Sequence, residues 1–271
     1  MPLFERYVMV DWSARAKPAT GRDSIWIGVH GQKECNPRTR MEAFGHLRNL
    51  LVDPIPTLVG FDFALGYPKG FADALRLTGE PWIAAWREIT GGIQDNERNR
   101  NNRFEAASEW NRRYGQPLFW GCPKSAASRW LCPKKAARSL PEFRETERAA
   151  RGTKAVWQLF GNGCVGSQSL MGLPYVHRLR EEFAGRVRVW PFETGLSAPT
   201  RPDIVFAEIY PSMIPVERRG DEVLDRAQVR SMAQHFAGLD TRGELAALFA
   251  PRCEDPAAVV REEGWILGVR R

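Results

Sequence analysis

The chain has 271 residues, 43% of them hydrophobic and 26% charged, and a net charge of +7. That length and apolar share suffice for one large α/β domain or two small ones around a sizeable core. No run approaches the ~20 apolar residues that a membrane-crossing helix needs, which excludes a helical span. The start, MPLFERYVMVD, sets Glu5 and Arg6 ahead of the first apolar run and has no small-residue cleavage pattern. It therefore does not read as a signal peptide. Five cysteines (Cys35, Cys122, Cys132, Cys164, Cys253) are odd in number and widely spaced. Only Cys122 and Cys132 are close, without the second pair or nearby His of a zinc pattern, so reduced thiols in a cytoplasmic protein are the simplest account.

The first element is the run 7–13, in which Tyr7, Val8, Met9 and Val10 lead into Asp11. An apolar run of this kind predicts a buried strand. A carboxylate at its exit is costly to desolvate unless it meets a cation or a cleft. Residues 24–29 predict a second strand, closed by Gly31, and 33–38 a short third one stopped by Pro37. Strands this close in sequence predict antiparallel neighbours.

Thr39 begins a helix with Met41, Phe44, Leu47, Leu50 and Leu51 at helical spacing, ended by Pro54 and Pro56. Residues 57–63 form the next predicted strand, again apolar and again ending on an acid, Asp62. Helical runs follow at 71–77 and 82–89. From Gly91 to about Lys154 the text becomes irregular and basic, with a helix expected over 103–113. Between Asn96 and Lys154 stand fourteen basic and six acidic residues, Arg151 among the former, so this segment accounts for the whole net charge. A basic segment on a neutral body predicts an anionic partner such as nucleic acid, gripped through Arg98, Arg100, Arg103, Arg112, Arg113, Lys134 and Lys135.

After an apolar run at 155–160 comes a glycine loop, 161–169, leading into a helix over 173–183. Its backbone N–H groups could hold phosphate. It matches neither the P-loop nor the dinucleotide pattern, and turn glycines at positive φ explain it more simply. Residues 186–193 and 204–210 predict strands, 225–236 and 241–248 helices, and 265–269 a closing core segment.

Asp11, Asp62 and Glu208 share one form, a carboxylate near the end of an apolar strand. If those strands are neighbours, the acids converge, and converging carboxylates repel unless a divalent cation neutralises them. Mg²⁺ or Mn²⁺ suits oxygen-only ligation and keeps positions for water and phosphate, which points to phosphoryl chemistry. Glu244 is a fourth candidate, although Thr241-x-x-Glu244 also has the spacing of a capping box. Glu193 ranks lower because it lies beyond Pro191.

The opening strands with Asp11 and Asp62, the motif from Gly60 to Pro68, Trp190-Pro191-Phe192-Glu193, Glu208-Ile209-Tyr210-Pro211 and Glu262-Glu263-Gly264-Trp265-Ile266 resemble the predicted RNase H-fold nucleases. The resemblance covers nearly the whole chain. It implies a single ribonuclease H-like α/β domain, 1–271, whose mixed sheet has its first three strands antiparallel and is flanked by helices, with the basic segment at about 91–154 as an insertion. It also implies Asp11, Asp62 and Glu208 as ligands of Mg²⁺ or Mn²⁺. The last-helix acid falls on Glu244, where relatives often carry Asp. The expected function is metal-dependent hydrolysis of nucleic acid. Two alternatives stay open: an ATP-dependent phosphotransferase with the related actin-like core, and a non-catalytic module that binds nucleic acid or protein.

Overall fold

The computed structural model describes residues 1–150, 152–200 and 203–270; Arg151, counted above in the basic segment, lies outside the described residues. Strand β1 (Arg6–Asp11) buries Tyr7, Val8, Met9 and Val10, as a strand covered on both faces must. In chain order there follow β2 (Trp26–Val29), α1 (Arg40–Val52), β3 (Thr57–Phe61), α2 (Phe71–Ala74), α3 (Pro81–Gly92), α4 (Arg103–Tyr114) and α5 (Glu145–Ala149). The chain continues through α6 (Gly166–Glu182), β4 (Val187–Val189), β5 (Ile204–Glu208), α7 (Leu224–Thr241) and α8 (Pro256–Ala258). Thr39 caps α1 by accepting the Glu42 N–H, which satisfies one of the free amides of the first turn.

The described strands form one mixed five-stranded sheet in the order β2-β1-β3-β5-β4. β2 runs antiparallel to β1, whereas β1, β3, β5 and β4 are mutually parallel. Register across the parallel strands decides which side chains share a face. Val10 pairs with Phe61 and Phe61 with Glu208. Residues in register point the same way, and their neighbours in sequence point the other way. Val8, Val10, Val59, Phe61, Ile204 and Phe206 accordingly pack in one cluster with residues of α1, α3 and α6. Met9, Leu58, Val205 and Ala207 pack on the opposite face with Val229, Met232, Ala233 and Phe236 of α7.

The expected third antiparallel strand is reduced to a single bridge between Ile27 and Cys35, so only β1 and β2 pair antiparallel as a ladder. The Asn36 side chain takes over the hydrogen bonds there: Nδ2 donates to the Ile25 carbonyl and Oδ1 accepts the Gly21 N–H. Pro37 has no N–H with which to continue pairing. Helix α6 begins seven residues before the expected start. Gly166 opens it in close contact with the preceding chain, where a Cβ would lie 2.2 Å from the Val156 carbonyl oxygen. No separate helix covers 241–248: α7 ends at Thr241, and 245–249 is a 3₁₀ turn. The basic segment is packed into the body of the protein. Its Trp110, Leu118, Phe119 and Leu131 join the same cluster as the strand residues Val10 and Phe61.

Candidate active site

Asp11 ends β1 and Asp62 follows β3 directly, so the in-register pair Val10 and Phe61 brings the two carboxylates side by side at the C-terminal edge of the sheet. The Asp62 N–H donates to the Val10 carbonyl at 3.1 Å, and the Asp62 carboxylate accepts the Trp12 N–H at 2.8 Å. The two side chains lie within hydrogen-bonding reach of each other, so that one proton is shared between them. Burial, then the charge of Asp62, then that of Asp225, holds the Asp11 carboxyl well above the usual carboxylate range. Burial pushes Asp62 up to about 7 despite the opposing hydrogen bonds from the Trp12 N–H and from Asp11.

Asp225 sits in the first turn of α7, on the sheet face that Asp11 and Asp62 also take. Its carboxylate accepts the Asp23 N–H at 2.7 Å. Burial raises its own pKa, the Asp23 N–H opposes this, and its charge reaches both Asp11 and Asp62. A signal for it was present in the sequence. Asp225 lies four residues before Val229 on the stripe that continues through Met232, Ala233 and Phe236. An acid on the apolar stripe of a helix is directed at the sheet.

These acids line a cleft of about 570 Å³, together with Asp23. One wall comes from the α6 side, with Arg103, Phe160, Gly161, Gly163, Ser167 and Gln168, and others from 12–15 after β1 and 210–212 after β5. Gly161 and Gly163 have φ of +121° and +69°, as turn glycines should. Gln168 Nε2 donates to the Trp12 carbonyl at 3.0 Å and fastens this wall to the end of β1. Arg103 Nε donates to Ser167 Oγ at 3.0 Å and Nη1 to Asn101 Oδ1 at 2.7 Å. Burial, then the charge of Arg40, draws its pKa down to about 10, so it stays cationic near neutral pH. Among the described residues Arg103 has no ion-pair partner.

The expected site residues therefore separate. Asp11 and Asp62 are brought together. Glu208 is in register with Phe61, one step out of phase with Asp62, in a second pocket that Asp62 also borders. There the Arg144 guanidinium holds it bidentately, at 2.6 and 2.7 Å, and the Leu65 N–H donates to it at 3.1 Å. Glu244 is exposed and pairs with Arg242. It lies beyond the far end of α7, whose last residue, Thr241, is about 24 Å from Asp225 at 1.5 Å per helical residue. The capping box is not formed either, because Thr241 Oγ1 donates back to the Ala237 carbonyl. Glu193 is taken up by Arg180 at 2.6 Å.

Of the seven basic residues expected to grip an anion, Arg103 alone lines the cleft. Arg112 pairs with Glu109, Arg113 with Glu88 and Lys135 with Glu142, while Arg98, Arg100 and Lys134 are exposed. Arg98 and Arg100 flank Asn99, whose carbonyl accepts from Arg40 Nη2. The same guanidinium donates through Nη1 to the carbonyls of Ser13 and Arg15, so this loop borders the cleft.

Among the described residues, no three His, Cys, Asp or Glu side chains converge as a preformed metal cage. Two hydrogen-bonded carboxylates with a third acid within electrostatic reach nevertheless form an all-oxygen donor set. That suits a hard cation such as Mg²⁺ or Mn²⁺, which binds through one or two carboxylates and completes its shell with water and substrate oxygens. Proton and cation compete for these oxygens. A raised carboxyl pKa means that the proton is retained up to about pH 7 and lost above it. Mn²⁺ affinity is accordingly expected to tighten roughly tenfold or more between pH 6 and 8 by calorimetry. By the same sign, stability without divalent cations is expected to fall as pH rises through about 7. A pH-independent affinity would contradict this.

All five cysteines are free, and no helix among the described residues is long and apolar enough to cross a membrane. No family model, curated protein or solved structure matches the chain.

Proposed function

We propose that the protein is a divalent-metal-dependent nuclease of ribonuclease H-like architecture, hydrolysing phosphodiester bonds of nucleic acid in this cleft. One observation carries the reading: a carboxylate pair with Asp225 nearby shares a single cleft with Arg103, a cation with no described carboxylate in ion-pair contact. The acids repel a phosphodiester on their own. With Mg²⁺ or Mn²⁺ bound they attract it, and the ion supplies charge neutralisation and activation of water. Asp11 and Asp62 would hold the ion, and Asp225 would orient its water ligands or join it directly. Arg103, fixed by Ser167 and Asn101, directs its guanidinium at a non-bridging phosphate oxygen. Arg98 and Arg100 at the border add a sequence-independent grip that weakens with salt. The sheet fits this architecture through its antiparallel edge, its parallel continuation and its acids at the exits of β1 and β3.

The test is cleavage of a fluorescently labelled oligonucleotide with and without Mg²⁺ or Mn²⁺. Asp225→Asn is expected to lower the rate roughly 10- to 100-fold, as removal of a group serving a metal site does. Glu244→Gln is expected to leave it unchanged. Cleavage that is indifferent to chelator, or a wild-type rate in Asp225→Asn, would reject the assignment.

A further inference from the structure

The chain contains 10 Trp, 5 Tyr and 14 Phe. Among the described residues, one of these aromatic side chains is left largely in water: Phe160, which is 52% exposed. A single exposed apolar residue is ordinary. Its place and its support are not. Phe160 lines the acid cleft, on the wall that also carries Arg103.

The backbone beneath the ring is pinned on three sides. The Leu159 N–H donates to the Trp120 carbonyl at 2.8 Å. Gln158 Nε2 donates to the Phe160 carbonyl at 3.2 Å. Gly121 approaches so closely that a Cβ there would lie 3.0 Å from both the nitrogen and the oxygen of Phe160. The ring is thus presented to solvent by ordered chain.

Arg103 is tied to the same segment. Its Nε donates to Ser167 Oγ, and Ser167 Oγ donates in turn to the Leu159 carbonyl at 2.6 Å. A fixed cation and a fixed aromatic face therefore stand in one cleft, joined by one hydroxyl. This pairing matches a nucleotide, with its phosphate on the guanidinium and its base on the ring. Every base has a π-face, so such a platform is tolerant of sequence. Within a duplex both faces of a base are already stacked on its neighbours, and only an unpaired base can meet the ring.

We infer that Phe160 is a stacking platform for an unpaired base beside the scissile phosphate, and that the preferred substrate is single-stranded nucleic acid. This rests on the phosphodiester reading of the cleft, so its test is kept separate from hydrolysis. Binding is measured by fluorescence anisotropy in Ca²⁺, a hard cation that neutralises the acids but activates water poorly, with a labelled 12-nucleotide strand and the same sequence as a blunt duplex.

Phe160→Ala is expected to weaken single-strand binding roughly 5- to 150-fold, the range for loss of one base–aromatic stack. Phe160→Trp is expected to stay within about threefold of wild type, because the larger ring still stacks. Duplex binding should be weaker and unmoved by either substitution. The exposed ring supports no core, so both variants should melt with the wild type. Equal strand affinity in Phe160→Ala, or duplex bound as tightly as the strand, would overturn the inference. Cleavage is then read in Mg²⁺. Phe160-dependent strand binding without cleavage retains the platform and rejects the nuclease, and cleavage with Phe160-independent binding does the reverse.

Discussion

Arg144→Met is expected to lower the melting temperature by roughly 6–20 °C, from a loss of about 3–5 kcal/mol when one partner of a buried charge network is removed. The Arg144 side chain is 1% exposed, and those of Glu147 and Glu208 are 2% and 5% exposed. Its Nε donates to Glu147 Oε1 at 3.1 Å, and Nη1 and Nη2 clasp Glu208. Nη1 also donates to the Glu263 carbonyl at 2.9 Å, which ties the C-terminal turn to β5. One cation thus serves two buried carboxylates. Burial already pushes Glu147 up to about 7 against the pull of Arg144.

Without the guanidinium both acids must take up protons to stay inside. A carboxyl whose folded pKa is raised stabilises the fold below its unfolded value and loses that contribution as pH rises through the folded value. The loss in Arg144→Met should therefore be smaller at pH 5 than at pH 8, by scanning calorimetry at both. The double variant Arg144→Met/Glu208→Leu should recover part of it, since one stranded charge is gone. A drop that is small and the same at both pH values would show that the network is not what holds α5 to the sheet.

The same carboxylate explains what a reader of the bare sequence can and cannot see. Asp11, Asp62 and Glu208 look alike there, each closing an apolar run. What separates them is one residue of register: Phe61 pairs with Glu208, so Asp62 is opposite position 209, and Glu208 is one step out of phase with it. Period-2 alternation turns that single step into a different set of neighbours. Register between strands so far apart in sequence, Phe61 against Glu208, is set by tertiary packing, and no local pattern encodes it.

Asp225 was visible in a different way, as an acid on the apolar stripe of its own helix, but the resemblance drew attention to Glu244, beyond the other end of α7. The start of α6 was hidden because Gly166 and Ser167 carry no helical periodicity. They are selected by contact, Gly166 against the Val156 carbonyl and Ser167 by its hydrogen bonds to Leu159 and Arg103. The same is true of residues 33–38, expected as a short strand, where the Asn36 side chain takes the bonds a ladder needs. Strands and helices whose apolar pattern faces a core were readable; segments fixed by single polar contacts were not.

Asp11→Asn is expected to lower metal-dependent cleavage by at least about a thousandfold, since a lost ligand removes several kcal/mol of transition-state stabilisation. Its effect on the fold should run the other way. In the metal-free protein Asp11 is buried against Asp62, and Asp225 adds a third negative charge within reach. The pair is held together by a shared proton, which is lost as pH rises. An amide of the same shape keeps a donor toward Asp62 without any proton to lose, and it cancels the repulsion. Burial, which the substitution leaves unchanged, should keep Asp62 near 7, with the amide N–H standing in for the hydrogen bond from Asp11. The variant should melt roughly 1–4 °C above the wild type at pH 8 without divalent cations, as when a strained functional site is relieved. Mg²⁺ should raise the melting point of the wild type and leave the variant nearly unmoved, because only a protein that binds the ion is stabilised by it. A residue that merely capped β1 would show the reverse, an unaltered rate and a lower melting point. Opposite signs in stability and activity from one carboxylate-to-amide change would mark Asp11 as a charge held at a cost in stability for the sake of the cation.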